Sequence, residues 1–253
     1  AELAQEVDNA VASLDFDQES LSELLANAGV LPMFGFPTKV RSVYSGPVRS
    51  REDIRRRELS SRPAQQAVTM FAPNTVLISD GSEHRITGLA AFKVVGNRAT
   101  PKQPFTQTQR VAMGDRCGDI RLGAAFTSDN CQVCGNHRKR FNFVQPLGYR
   151  TSYRPSDYSD ATQSQMFFSR ARLATELEGV DSYEHRGMRV AVGSQEKVLT
   201  INDNRGSLFA LGRQADQSWT VSEADPSGSP EDLNTKAVAL ADLRTTDVLV
   251  LEI

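Results

Sequence analysis

The stretch RGMRVAVGSQEKVLTIND, residues 186–203, decides the fold class of this chain. It consists of two short runs rich in valine, isoleucine and threonine, which are typical of strands. The polar run Asn202–Gly206 then predicts a turn. Further apolar runs follow at 207–212, 218–221 and 246–253. The run 246–253 is almost continuously apolar, so it predicts a strand buried on both faces. The C-terminal third is therefore predicted to be a β meander.

Short helices are predicted towards the N-terminus. Residues 17–28 form an amphipathic pattern that ends before a glycine, and Ser50 resembles the start of a capping box with Asp53. Pro63 is suited to the first turn of another short helix. An Asp80-Gly81 pair between apolar runs predicts a β-hairpin.

These features together predict an α+β fold with short N-terminal helices, a mainly antiparallel β-rich core and a zinc-knuckle insertion. The polar stretches 96–109 and 149–165 predict a loop and a linker. Three regions are predicted. Residues 1–109 form an N-terminal helical and β accessory region, residues 110–148 form the cysteine (zinc-knuckle) region, and residues 149–253 form a C-terminal β-rich region.

The net charge of −2 hides a basic middle. Residues 1–38 carry −7, residues 85–154 carry +9 and residues 155–253 carry −7. A basic stretch between acidic ends is typical of contact with a polyanion, and the alternative is a set of solvated faces that cancel in the folded protein.

The targeting signals point to a cytoplasmic protein. No apolar run reaches the roughly 18 residues that a membrane span needs, so no membrane partner is expected. The N-terminus is acidic, unlike a signal peptide, and the lack of an initiator Met favours an internal segment of a longer polypeptide. Three cysteines are too few for a disulfide framework, so we expect reduced thiols.

The cysteine cluster is the strongest chemical signal. Cys131 and Cys134 form a CxxCG turn, in which two thiolates and nearby backbone amides are suited to zinc. Cys117 supplies a third thiolate, and His137 is the nearest candidate for a fourth ligand. Where a second CxxCG is expected, the chain has Gly114-Asp-Arg-Cys117-Gly, as though the first cysteine had become glycine.

Three outcomes remain open for this cluster. Zinc could be held by Cys117, Cys131, Cys134 and His137. A more distant ligand, such as His84, His185 or a carboxylate, could replace His137. The third outcome is a degenerate knuckle whose thiols merely pack. A redox role for CxxC is a poor fit because no thioredoxin-like βαβ pattern surrounds it.

Basic residues flank the cluster and alternate with aromatic ones. Arg138, Lys139 and Arg140 precede Phe141 and Phe143. This pattern suits phosphate contact combined with base stacking. The alternative is that both phenylalanines belong to the core of a strand and the cations lie at its solvated ends.

Motor and hydrolase motifs are missing. The chain has no GxxxxGK[ST] phosphate loop, no DEAD-like acidic box, no GxSxG and no HExxH. We therefore expect no catalysis by the chain itself, although a nucleophilic Cys–His pair is not ruled out by sequence alone.

Several segments, in order, resemble the C-terminal accessory region of MrfA-like DEAD/DEAH-family helicases and the DrmB-like helicase-associated proteins of the DISARM phage-defence system. The cysteine cluster occupies the family's usual place between them. The blocks are Leu24–Thr38 (LLANAGVLPMFGFPT), Arg62–Gly88, Gln145–Tyr153, Val198–Phe209 and Thr245–Leu251. This accessory region is a domain of unknown function that often carries four zinc-binding cysteines, of which this chain keeps three.

The resemblance implies DNA as substrate, Zn²⁺ as cofactor and a superfamily 2 ATPase motor on the same polypeptide or on a partner subunit. It implies a role in phage defence or DNA repair. The leading hypothesis is an accessory module that guides DNA beside the motor, and the alternative is a scaffold that docks a helicase without touching DNA. The cations expected to contact phosphates are Arg55, Arg56, Arg57, Arg138, Lys139 and Arg140.

Overall fold

A computed structural model describes residues 39–123, 128–158, 169–174, 182–185, 188–221 and 235–252. Strands dominate these residues, and the two α-helices among them have seven residues each. The predicted α+β class is therefore wrong, and the described fold is mostly β. The helices predicted after Ser50 and Pro63 do form, but each is short, and the segments predicted as a loop and a linker add strands instead.

The strands are numbered in chain order. They are β1 Val40–Tyr44, β2 Glu58–Pro63, β3 Val76–Ser79, β4 Ser82–Leu89, β5 Ala91–Val95, β6 Arg98–Lys102, β7 Gln109–Gly114, β8 Ile120–Leu122, β9 Arg138–Val144, β10 Tyr149–Thr151, β11 Ser156–Asp157, β12 Ala171–Leu173, β13 Ser182–His185, β14 Met188–Asn202, β15 Phe209–Arg213, β16 Trp219–Val221 and β17 Thr235–Glu252. The helices are α1, Arg51–Arg57, and α2, Ala64–Met70.

The chain divides into two compact units, each drawn from three separate segments. The first takes residues 1–105, 146–166 and 212–221, and the second takes the remainder. The ranges predicted from the sequence are contiguous, whereas these units are interleaved along the chain. No helix among the described residues is both long and apolar enough to cross a membrane.

The first unit is organised around β4. This strand pairs antiparallel with β10 and with β16, so Leu89 faces Tyr149 on one side and Trp219 on the other. Ile86 and Leu89 are fully buried as a result. Strand β1 pairs parallel with β10 and antiparallel with β2. The Asp80-Gly81 hairpin is confirmed, because β3 and β4 pair across it.

The two helices described in the first unit follow the predicted signals. The Ser50 hydroxyl accepts from the Asp53 N–H at 3.1 Å, and the Asp53 carboxylate accepts from the Ser50 N–H at 3.2 Å, so the capping box at α1 is confirmed. Helix α2 starts directly after Pro63 and buries Ala67 and Val68. The helix predicted at 17–28 lies outside the described residues.

The second unit is built on two long strands. Strand β14 pairs antiparallel with β17 along almost its whole length, with a bulge between Gly193 and Glu196. Strand β17 continues the sheet through a parallel pairing with β9, and β7 lies antiparallel between β9 and β8. The shared core of these strands contains Val111, Ile120, Phe143, Leu199 and Ala239.

Three further predictions need correction. The predicted loop 96–109 contains β6 and the start of β7, and the predicted linker 149–165 contains β10 and β11. The strand at 246–253 is not buried on both faces, because Leu249 is 63% exposed and lies directly opposite Val192, which is 47% exposed. An apolar run alone did not distinguish a central strand from a ribbon with a solvated face.

Candidate metal centre

Three cysteines converge in the second unit. Cys117 lies in the turn between β7 and β8, and Cys131 and Cys134 lie in the turn that precedes β9. Their sulfur atoms all lie within 4.8 Å of one another, and the Cys117 and Cys131 sulfurs are 3.5 Å apart. Cys131 is buried, and the other two are partly exposed. The structure therefore brings together all three predicted cysteine ligands.

Backbone hydrogen bonds hold the Cys131–Asn136 turn in shape. The Cys131 N–H donates to the Asn136 carbonyl at 2.7 Å, and the Gly135 N–H donates to the Cys131 carbonyl at 2.8 Å. Gly135 has a φ of +71°, a left-handed conformation that favours glycine. The turn thus fixes the second cysteine of the pair beside the first.

The Cys117 turn uses the same bonds at a position 17 residues earlier. The Gly114 N–H donates to the Asp119 carbonyl at 2.8 Å, and the Gly118 N–H donates to the Gly114 carbonyl at 2.8 Å. Gly118 has a φ of +68°. The chain therefore contains two turns of one backbone design that face each other through their sulfurs.

The sulfur arrangement fits a thiophilic metal ion. A tetrahedral ion with sulfur at about 2.3 Å separates its sulfur ligands by about 3.8 Å, close to the separations found here. The Asp119 N–H donates to the Cys117 sulfur at 3.4 Å, and the Asn136 N–H donates to that of Cys134. Such donors offset the negative charge that several thiolates accumulate around a metal.

His137 is not part of the sulfur group. Its backbone is fixed, because its carbonyl accepts from the Asp115 N–H at 3.1 Å and the residue bridges to Asn130. Its side chain is exposed, and among the described residues the metal-binding group comprises the three cysteines. The role of His137 as a fourth ligand stays a prediction.

A buried ion-pair network supports the centre from one side. The Asp119 carboxylate accepts from Arg138 at 3.0 Å and pairs with Arg121 at 3.1 Å. The Arg138 side chain is 1% exposed, and its guanidinium also lies 3.8 Å from the Cys131 sulfur. Asp119 therefore ties the turn that carries Cys117 to the strand that follows Cys131.

Sequence reasoning overlooked Asp119. A usable signal was present, because Asp119 follows Cys117 by two residues as Asn136 follows Cys134. The repeated spacing marks a position whose N–H reaches a sulfur in each turn.

The thiols differ in acidity. The Asn136 N–H, helped by the neighbouring thiols, lowers the pKa of Cys134 to about 6. At Cys117 the Asp119 N–H acts in the same direction, but partial burial and the hydrogen bonds to the two other thiols outweigh it, so its pKa is raised. In the metal-free protein, the proton lost at neutral pH is therefore expected to leave Cys134.

This difference predicts selective alkylation. With metal removed and reductant present, iodoacetamide should modify Cys134 faster than Cys117 at neutral pH, because the thiolate is the reactive form. The rate at Cys134 should fall as the pH is lowered through about 6. Peptide mass spectrometry over a pH series measures this, and a shared inflection near the ordinary thiol value of about 8.5 would contradict the assignment.

The first three predicted DNA contacts lie on α1, in the first unit. Arg55 and Arg56 are exposed, and Arg57 is partly buried. Arg56 pairs with Asp53 at 3.1 Å within the same helix. Because this ion pair joins neighbouring turns of one helix and its arginine is exposed, it contributes little energy and leaves Arg56 able to contact a phosphate.

The other three lie at the start of β9, in the second unit. Arg138 is buried in the ion pair with Asp119, so its guanidinium is not presented at the surface. Lys139 pairs with Asp115 at 2.8 Å and Arg140 with Asp129 at 2.7 Å, and both cations are exposed. The contact of these six cations with nucleic acid stays a prediction, in which Lys139 and Arg140 are better placed than Arg138.

The aromatic residues of the basic segment belong to the core. Phe143 is fully buried, and Phe141 packs against the same cluster on the side of β9 that faces Val111. The interpretation that both phenylalanines belong to the core of a strand is therefore supported, whereas its second part, that the cations lie at solvated ends, is wrong for the buried Arg138. Phe143 is not available for base stacking.

Comparison with known proteins gives one informative similarity. No family model matches the chain, and no solved structure matches it. The chain is similar to Druantia protein DruE of Escherichia coli (strain UMEA 4076-1), with 24% identity over 139 residues. The match covers 53% of this chain and 8% of that protein. The chain therefore resembles a small part of a much longer protein.

Proposed function

We propose that this chain is an accessory module of an antiviral defence machine, in which a thiolate metal centre holds together a surface that contacts DNA. The similarity to Druantia protein DruE carries the defence part of the proposal. The matched region is a small fraction of that protein, which suits a module that works beside an ATPase motor on the same polypeptide or on a partner subunit.

The proposed metal is zinc, held by the three thiolates. Zinc prefers thiolate ligands in a tetrahedral arrangement, and the three sulfurs lie within 4.8 Å of one another, with those of Cys117 and Cys131 at 3.5 Å. When bound, the ion would cross-link the turn between β7 and β8 to the turn that precedes β9, the strand that pairs with β7. The chain's own residues contribute N–H donors to two of the sulfurs and an ion-paired carboxylate beside the third.

The proposed DNA contact is electrostatic and independent of sequence. Exposed cations on α1 and at the start of β9 carry it, with Arg55 and Lys139 as representatives of the two sites. Neutralisation of phosphates releases counterions, so the affinity is expected to fall steeply as salt is raised.

Fluorescence anisotropy with labelled single-stranded and double-stranded DNA tests this proposal. Between about 50 and 200 mM salt, the slope of log affinity against log salt should be reduced by about 1 for each of Arg55→Ala and Lys139→Ala. Lys93→Ala, at an exposed position of β5, is the matched control and should leave the slope unchanged. Affinity that stays flat as salt rises would contradict DNA contact.

A scaffold that docks the motor is the second candidate. The observation that favours it is the exposed apolar pair Val192 and Leu249, which lie opposite each other on the β14–β17 ribbon. Exposed apolar contacts of this kind are typical of protein interfaces when they are part of a larger patch. Two results together would favour the scaffold. The wild-type chain would co-purify with an ATPase and Leu249→Asp would not, and the affinity for DNA would not change with salt.

A further inference from the structure

Gly114 occupies the position of a metal ligand. The Gly114–Asp119 and Cys131–Asn136 turns match bond for bond: the first residue donates to the carbonyl of the sixth, and the fifth donates to the carbonyl of the first. In the first turn the N–H of the sixth residue, Asp119, also donates to the sulfur of the fourth, Cys117, at 3.4 Å. By this correspondence, Gly114 stands where Cys131 stands in the second turn.

The space around Gly114 supports the same assignment. A Cβ added there would lie 2.8 Å from the Cys117 sulfur and 3.0 Å from the Cys131 sulfur. Position 114 therefore faces the sulfur group directly, and a side chain there would require the two sulfurs to shift. Unlike Gly118 and Gly135, Gly114 does not have a positive φ, so its backbone conformation does not require glycine.

We propose that the metal centre has three protein thiolates and a fourth coordination position, left open by Gly114, that takes an exchangeable nitrogen or sulfur donor from outside the chain. This inference rests on the metal centre of the proposed function. Structural zinc sites are closed by four protein ligands, whereas sites with three protein ligands keep a position for an external one. A donor that enters replaces a water molecule and involves no electron transfer.

The neighbouring polar residues do not close the site. The Asp119 carboxylate lies 3.8 Å from the Cys131 sulfur, but both of its oxygens are engaged by Arg121 and Arg138. His137 has an exposed side chain and, within the described part of the chain, stands outside the sulfur group. The open position is therefore a consequence of one residue, Gly114.

Cobalt(II) titration of the reduced, metal-free chain tests the inference, since cobalt reports its ligands through its visible spectrum. The wild-type chain should show the intensity of three thiolates, and addition of imidazole should shift its ligand-field bands. In Gly114→Cys, the thiolate charge-transfer intensity should rise by about a third, because a fourth sulfur joins three, and imidazole should have no effect. Gly114→Ala is the matched control, because its Cβ displaces the two sulfurs as that of cysteine does but brings no ligand, and its thiolate intensity should not exceed that of the wild type.

The outcomes separate the two proposals. An imidazole response in the wild-type chain supports the open position even where Gly114→Cys does not fold. A four-ligand wild-type spectrum that ignores imidazole overturns the inference alone, and a response that appears only in His137→Ala would identify His137 as the ligand that closes the site. Absence of cobalt uptake overturns the metal centre itself and the inference with it.

Discussion

Cys131→Ser is expected to abolish metal binding by the chain. Cys131 is the buried member of the group, and its sulfur lies 3.5 Å from that of Cys117. A serine hydroxyl is a poor ligand for a thiophilic ion, so the substitution leaves only two thiolate ligands. The affinity should fall by more than about 100-fold, because even outer-shell partners of a metal contribute about 10- to 100-fold.

Elemental analysis and a chelator competition measure this effect. Val133→Ser is the matched control, because Val133 lies in the same turn, is 64% exposed and offers no ligand in the wild-type chain. It should bind metal as the wild type does. A melting temperature that falls in chelator for the wild type but not for Cys131→Ser would agree with the loss, since a ligand stabilises only the state that binds it. Full metal occupancy in Cys131→Ser would refute the role of this sulfur.

Asp119→Asn should destabilise the second unit by about 3–5 kcal/mol, the usual cost of removing one partner from a buried ion pair. The Asp119 carboxylate uses one oxygen for Arg138 and the other for Arg121, and those side chains are 1% and 11% exposed. An amide of the same shape keeps the backbone N–H bond to Cys117 but removes the negative charge that both buried guanidinium groups contact.

Urea denaturation of Asp119→Asn beside Asp115→Asn gives the test. Asp115 is only four residues away and also pairs with a cation, but this pair with Lys139 is about half exposed on both sides. Exposed pairs contribute about 0–1 kcal/mol and weaken with salt, so the control variant should lose little stability. Equal losses in the two variants would show that burial of the Asp119 network does not matter to the fold.

Local signals in the sequence located several parts of the structure. The capping box at Ser50, the helix after Pro63 and the Asp80-Gly81 hairpin all formed where their residues indicated. Each depends on contacts within a few residues, so neighbouring side chains suffice to specify it. The grouping of the three cysteines was also predicted from their spacing.

Other predictions failed because they depended on distant segments. Strand β6 forms in a predicted loop because β5 pairs with it, despite two prolines nearby. The final strand is not buried on both faces, because β14 pairs with it in a ribbon on which Leu249 stays exposed. The strand propensity of a residue reflects how well its side chain fits a half-buried sheet surface. Other segments of the chain form that surface, so the sequence of one segment does not reveal it.

The sequence by itself determined the turns of the cysteine region, because a CxxCG spacing and its glycine specify a local backbone shape. It also showed that one turn begins with glycine instead of cysteine. Only the tertiary structure decided that the two turns face each other, that Phe143 belongs to the core and that Arg138 is buried against Asp119. These facts depend on the pairing of β7 with β9, which brings residues about 30 positions apart into register. Strands so far apart in sequence pair because pairing buries a whole apolar face of the sheet. No single stretch of sequence specifies that arrangement.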